Sequence, residues 1–294
     1  MTKNIKNTVI QIQTPKGFLL NGLLFGAEKP KTVYIYVHGL GSSMFSQTEL
    51  LQKLVDKNSS ALTFSNRGYG VVNNIWQIIS KNPIKYKKHV IGMAHEVFTD
   101  CIDDIEGAVK FVSDLGVKNI ILVGHSTGCQ KSIYYLAKKT APLVQGVILL
   151  APMSDFADTF KYTDKKIYNK AIFDAKKLVK DGKQHELLPF SIWPDMIDAQ
   201  RFLSLFTPDS IEEIFSYASG QRPVLLIKNK KPILVILAEK DEFSDRPIFG
   251  IFNWFQSTLQ NKKYQLNMIE GSAHRFQGYS DILKKIIKDW VSKL

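Results

Sequence analysis

Cysteine is nearly absent from this chain, with two residues in 294, Cys101 and Cys129. Two thiols make no disulfide framework, and both fall in segments of helical periodicity, so buried free thiols are expected. Long apolar runs are also missing. Val147-Ile148-Leu149-Leu150 and Ile233-Leu234-Val235-Ile236-Leu237 fall far short of the roughly 20 residues that a membrane-spanning helix needs. Met1 to Gln13 carries lysines but neither an apolar core nor a small-residue cleavage site. No secretory leader is therefore expected, and a cytoplasmic location fits best. No His, Cys and Asp cluster has metal-ligand spacing, and no Gly-x-Gly-x-x-Gly or P-loop string follows a strand-like run. Neither a metal nor an organic cofactor is expected. Repeats and low-complexity tracts are absent as well.

Charge is plentiful and one-sided. Lys and Arg number 39 against 27 Asp and Glu, a formal net charge of +12. The lysines are spread along the whole chain without a nucleic-acid-binding module, so no nucleic-acid partner is expected. Their densest group, Lys161 to Lys183, is interleaved with Asp158, Asp164, Asp174 and Asp181, the pattern of a solvated helix face.

Thr8 to Gln13 and part of Phe18 to Phe25 alternate apolar and polar residues, as half-exposed antiparallel strands do. Further strands are predicted at Thr32 to Val37, Ala61 to Phe64, from Asn119, Gly146 to Leu150, Ile233 to Leu237 and Tyr264 to Ile269. Helical spacing is read over Ser46 to Asp56, Glu96 to Leu115 and Asp281 to Val291, with Val97, Cys101, Ile105, Ala108 and Val112 as the stripe of the second. Strands alternating with helices predict an α/β fold, a mostly parallel central sheet covered on both faces. About eighty residues between two of these strands hold no clear β-run, while Asp155 to Lys180 and Ser210 to Ser219 read as helical. Residues 1–151 and 232–294 are thus read as the core, and 152–231 as an inserted helical lid.

The chemistry concentrates at Gly124-His125-Ser126-Thr127-Gly128. An apolar strand precedes it and an amphipathic helix follows, the setting of a nucleophile elbow. The turn is tight enough that a Cβ two residues either side of the serine would collide with strand or helix. A serine hydroxyl needs a base within hydrogen-bond reach, held in one tautomer by a third group. In this setting the chain order is serine, acid, histidine. His274, in the loop after the last strand, is the candidate base. His185, the other histidine downstream of Ser126, falls in the lid. Asp241 follows the preceding strand as the candidate acid, with Glu239, Glu242 and Asp245 as neighbours and Asp155 as the alternative after an earlier strand. Backbone amides of Thr127 and of Leu40, in His38-Gly39-Leu40-Gly41, are candidates for an oxyanion hole. His38 is read as a structural hydrogen-bonder and His125 as packing, and His89 and His95 are given no role. Phe156, Phe190 and Trp193 are candidates to line an acyl or aryl pocket, or simply core.

In this order the motifs resemble the α/β-hydrolase superfamily over nearly the whole chain. Gly124 to Gln130 is similar to the elbow of fungal siderophore-ester hydrolases related to fusarinine C esterase. So are Ala199 to Leu205, Glu212 to Ser216 and Asp241-Glu242-Phe243. The resemblance implies an ester hydrolase with a helical lid, with Ser126, Asp241 and His274 as nucleophile, acid and base, and a small-molecule ester as partner. A peptidase or amidase using the same triad, and a non-catalytic binder, are the alternatives.

Overall fold

A computed structural model describes residues 7–26 and 29–294, with side chains for all but 160–162 among them. Met1 to Lys6, part of the segment read for a leader, and the side chain of Lys161 lie outside the described residues. The chain opens with an antiparallel pair, β1 (Asn7–Gln13) and β2 (Leu19–Phe25). There follow β3 (Thr32–Val37), α1 (Thr48–Leu54) and β4 (Ser59–Phe64). A hairpin of β5 (Asn73–Lys81) and β6 (Ile84–Ile91) comes next, then α2 (Cys101–Asp114), β7 (Asn119–His125), α3 (Thr127–Lys138) and β8 (Val144–Leu150). Four helices then intervene: α4 (Asp155–Tyr162), α5 (Lys165–Lys180), α6 (Ala199–Phe206) and α7 (Val224–Lys228). The chain closes with β9 (Ile233–Ala238), α8 (Ile248–Leu259), β10 (Tyr264–Ile269) and α9 (Ser280–Val291).

Eight strands form one sheet in the order β1-β2-β4-β3-β7-β8-β9-β10, parallel from β4 to β10. Buried on both faces, the central strands are apolar at successive positions rather than alternately. Their side chains divide between two cores. Val33, Ile35 and Leu122 meet Ile105 and Val112 of α2, Ile133 of α3 and Phe255 of α8 on one face. Tyr34, Tyr36, Ile121 and Val123 meet Leu50 and Leu54 of α1 and Leu283 and Ile287 of α9 on the other. This is the α/β-hydrolase fold, and the parallel strands bring the loops at their carboxyl ends to one edge of the sheet.

Several expectations require correction. The helix read from Glu96 begins at Cys101, after a 3₁₀ turn at Phe98–Asp100. Glu96 is instead drawn inward by buried cations, and Val97 lies outside the stripe, 38% exposed. Asp155 to Lys180 is two helices, because Asp164 Oδ1 accepts from the Lys166 and Ile167 amides and so caps a new start. Ser210 to Ser219 is not helical. There Ser210 Oγ takes the Glu212 amide and Ser216 Oγ donates to the Gln221 carbonyl, competing with helical bonds. The described lysines of α5 do face solvent. Cys101 and Cys129 are both buried and unbridged, as expected. Among the described residues no helix is long and apolar enough to cross a membrane.

Candidate active site

β7 runs straight into Ser126, and α3 begins at the next residue. Reversal within so short a span puts Ser126 at φ 55° and ψ −131°, strain that costs a non-glycine residue about 1–3 kcal/mol. The flanking glycines are steric necessities. A Cβ on Gly124 would lie 2.5 Å from the Gly128 carbonyl oxygen, and one on Gly128 would lie 2.0 Å from the Val37 carbonyl oxygen. The Ser126 amide donates to the Leu150 carbonyl at 3.0 Å, tying the turn to β8. Ser126 itself is half-buried and lines a cavity of about 320 Å³.

The His38 to Gly41 loop leaves β3 beside that turn. A Cβ on Gly39 would fall 2.8 Å from Ser126 Cβ, so only glycine lets the loop approach this closely. His38, wholly buried, donates from Nδ1 to the Gly39 carbonyl (2.8 Å) and accepts the Asn66 amide at Nε2 (3.0 Å). Burial and the nearby Lys131 lower its pKa to about 3, so it stays neutral and serves the loop as the sequence suggested. Gly39 and Leu40 line the same cavity as Ser126. Among the described residues, neither the Leu40 nor the Thr127 amide donates to a protein acceptor.

Parallel pairing of Ala238 with Ile269 sets the loops after β9 and β10 side by side. Across them His274 Nδ1 meets Asp241 Oδ2 at 2.8 Å, with both residues buried. The other Asp241 oxygen accepts the Phe243 amide at 3.0 Å. A protonated Nδ1 facing a carboxylate leaves Nε2 as the basic nitrogen. The competing acids are otherwise engaged. Glu242 accepts the His274 amide (2.9 Å), Glu239 accepts the Gly271 amide (2.7 Å), and Asp245 pairs with Arg246. Asp155 lines the cavity, yet its carboxylate accepts from Gln130 at 3.1 Å. Burial and surrounding carboxylates raise its pKa far above the usual range.

His125 does more than pack. Its Nε2–H donates to the His274 carbonyl at 2.9 Å, with the rings 4.9 Å apart. Burial, with His274 adjacent, lowers its pKa to about 3, so it is a neutral strut beneath the loop that carries His274. Its place before the serine was the available signal, but only the fold reveals what it touches. His95 and His185 each set Nδ1 3.0 Å from Asp198 Oδ2, and His89 contacts Gln77.

Of the two readings of the aromatics, core packing holds for Trp193 and Phe156. Phe190 is 66% exposed, while Trp193 and Phe156 belong to a cluster within the inserted helices. Trp193 packs 4.8 Å from Phe202 and 5.1 Å from Phe206. The aromatics lining the Ser126 cavity are Phe206 and Phe243, the latter edge-on to His274 at 4.7 Å. A larger cavity of about 500 Å³, beside Phe18 and His89, shares no lining residue with it.

Buried charge connects the elbow helix to the insertion. Lys131 of α3 pairs with Glu96 at 2.5 Å, Glu96 with Arg201 of α6 at 2.9 Å, and Arg201 with Glu212 at 2.5 Å. Among the described residues no group of His, Cys, Asp and Glu is arranged to hold a metal ion.

A family model described as "Protein of unknown function (DUF1749)" matches residues 31–293. The chain belongs to that family. It is 27% identical over 232 residues, 77% of its length and 78% of the relative's, to a Mycoplasma genitalium protein named "Putative esterase/lipase 2". Among solved structures it is similar to the siderophore hydrolase EstB from Aspergillus fumigatus, with a TM-score of 0.67 and 17% identity. That likeness covers 100% of this chain and 99% of the other. It is also similar to Est1E from Butyrivibrio proteoclasticus with ferulic acid bound, with a TM-score of 0.64 and 16% identity, covering 97% and 98%. At these identities the two structures speak for the fold, which they share with this DUF1749 protein.

Proposed function

We propose that this chain is a serine hydrolase that cleaves carboxylic esters through an acyl-enzyme intermediate. The observation that carries the reading is the Asp241–His274 hydrogen bond in loops that share a cavity wall with the strained Ser126. Ser126 Oγ attacks the acyl carbon while His274 Nε2 takes the hydroxyl proton, and Asp241 stabilises the resulting imidazolium. The Leu40 and Thr127 amides receive the oxyanion. Collapse expels the alcohol, which leaves with the proton from His274. Water, deprotonated by the same nitrogen, then attacks the acyl-enzyme and releases the acid and Ser126. Residues 152–231 act as the lid over this cavity, contributing Phe206 to its wall. The esterase names of the relatives support the choice of bond.

A panel of p-nitrophenyl esters run alongside aminoacyl p-nitroanilides tests that choice. Ester turnover without anilide turnover is expected, and the reverse pattern would replace the reading with a peptidase.

A further inference from the structure

The β5–β6 hairpin stands apart from the eight-stranded sheet, and its two sides differ sharply. Its inner side is held down: Ile75 and Ile91 enter the core, and the Ile78 amide donates to the Gly17 carbonyl at 2.8 Å. Elsewhere it is uncovered. Trp76, Ile79, Ile84, Tyr86 and Val90 are each between 52% and 62% exposed. Trp76 and Tyr86 meet edge to face at 6.4 Å, and Lys88 Nζ stands 6.0 Å over the indole. Residues 71–91 hold four lysines, Lys81, Lys85, Lys87 and Lys88, and no Asp or Glu. All four are exposed, and among the described residues none forms an ion pair.

We propose that this hairpin is a docking surface for an anionic lipid bilayer. Charge complementarity selects the occupant. Trp and Tyr favour the headgroup zone, where ring and polar edge are both satisfied. The aliphatic side chains find an apolar sink just below, and lysines extend their ammonium groups to lipid phosphates. Lys88 shares the face of Trp76 and Tyr86 while Lys85 and Lys87 alternate to the other side of β6, so a symmetric contact with a second copy through that face would set Lys88 near its own kind. Nucleic acid would pair with the lysines but offers the exposed Ile and Val side chains nothing apolar. The chain leaving β6 reaches Met93, a wall residue of the Ser126 cavity, two positions beyond Ile91. Docking would therefore hold that cavity near the bilayer, and it does not depend on the reaction performed there.

Sedimentation of the full chain with phosphatidylcholine vesicles, with and without phosphatidylglycerol, tests this. Binding is expected only with phosphatidylglycerol and should fall at high salt, as screened charges require. Lys85→Glu with Lys88→Glu should weaken partitioning at least about tenfold, given roughly fivefold for each lysine near an anionic surface. Trp76→Ala with Tyr86→Ala should weaken it by about tenfold or more. Far-UV circular dichroism, melting temperature and p-nitrophenyl ester turnover should be unchanged in both double variants. Absence of binding, equal binding to both vesicle types, or partitioning unaffected by the substitutions would overturn the proposal. So would light scattering that showed a dimer lost on Trp76→Ala, or retention by an oligonucleotide in preference to the anionic vesicles.

Discussion

The turn at Ser126 and the helical segment between β8 and β9 are held in place by opposite means. At the turn, backbone packs on backbone so closely that two positions accept only glycine, and the strain at Ser126 is borne by the strands around it. The insertion reaches the core through side chains, with Arg201 fully buried between Glu96 and Glu212 and Lys131 on the far side of Glu96. Steric necessity leaves a short local signature in sequence. A buried ion network assembles residues as far apart as 96 and 212 and leaves none.

This contrast can be broken at either end. Gly128→Ala should have the largest effect, since its methyl would meet the Val37 carbonyl oxygen with no flexible atom to yield. Folded protein should fail to accumulate, and a variant melting within a few degrees of wild type would refute the steric account. Asp241→Asn should lower ester turnover by about 10³–10⁴-fold with the fold intact. Asp155→Asn should retain most activity, and the opposite result would move the acid to the loop after β8.

Glu96→Gln leaves Lys131 and Arg201 without their shared carboxylate and should cost about 3 kcal/mol or more in chemical denaturation. The pH dependence has a definite sign. The Lys131 and Arg201 charges outweigh burial and lower the Glu96 pKa from 4.5 to about 2. Its contribution is complete above pH 4.5 and is lost as pH falls toward 2, so the gap between wild type and Glu96→Gln should close over that window. Gly182→Ala lies at the other end of the comparison. Gly182, just beyond α5, has φ 75° and nothing within 4 Å of an added Cβ. Only conformational strain remains, about 1 kcal/mol. Glu213 is read from the slope of a pH profile rather than from a single stability difference. Burial raises its pKa from 4.5 to about 7, so its favourable share is full below pH 4.5 and lost as pH rises through 7. Glu213→Gln should flatten that part of the stability profile, and an unchanged slope would show that Glu213 titrates normally.

Legibility followed the same division. All six parallel strands, β3, β4, β7, β8, β9 and β10, were readable from the pattern of their apolar residues. The candidates Ser126, Asp241 and His274 could be proposed from sequence because each lies in the loop or turn just after a strand. What the sequence hid depends on distant partners. Glu96 is a helix former by local rules, yet it is drawn out of α2 by two cations. Trp193 could be read as pocket or core until Phe202 and Phe206 enclose it. β5 and β6 pair chiefly with each other, and β6 interleaves Lys85, Lys87 and Lys88 among its apolar residues, so no apolar run marks it. His125 gave no hint that it supports the loop bearing His274, since their contact spans 149 residues.

The most direct test of the central claim is covalent capture of Ser126. Wild-type protein treated with a fluorophosphonate should gain a single adduct by intact mass, mapped to Ser126 in the peptide digest and absent from Ser126→Ala. No adduct on the wild type, or equal labelling of the variant, would contradict the account.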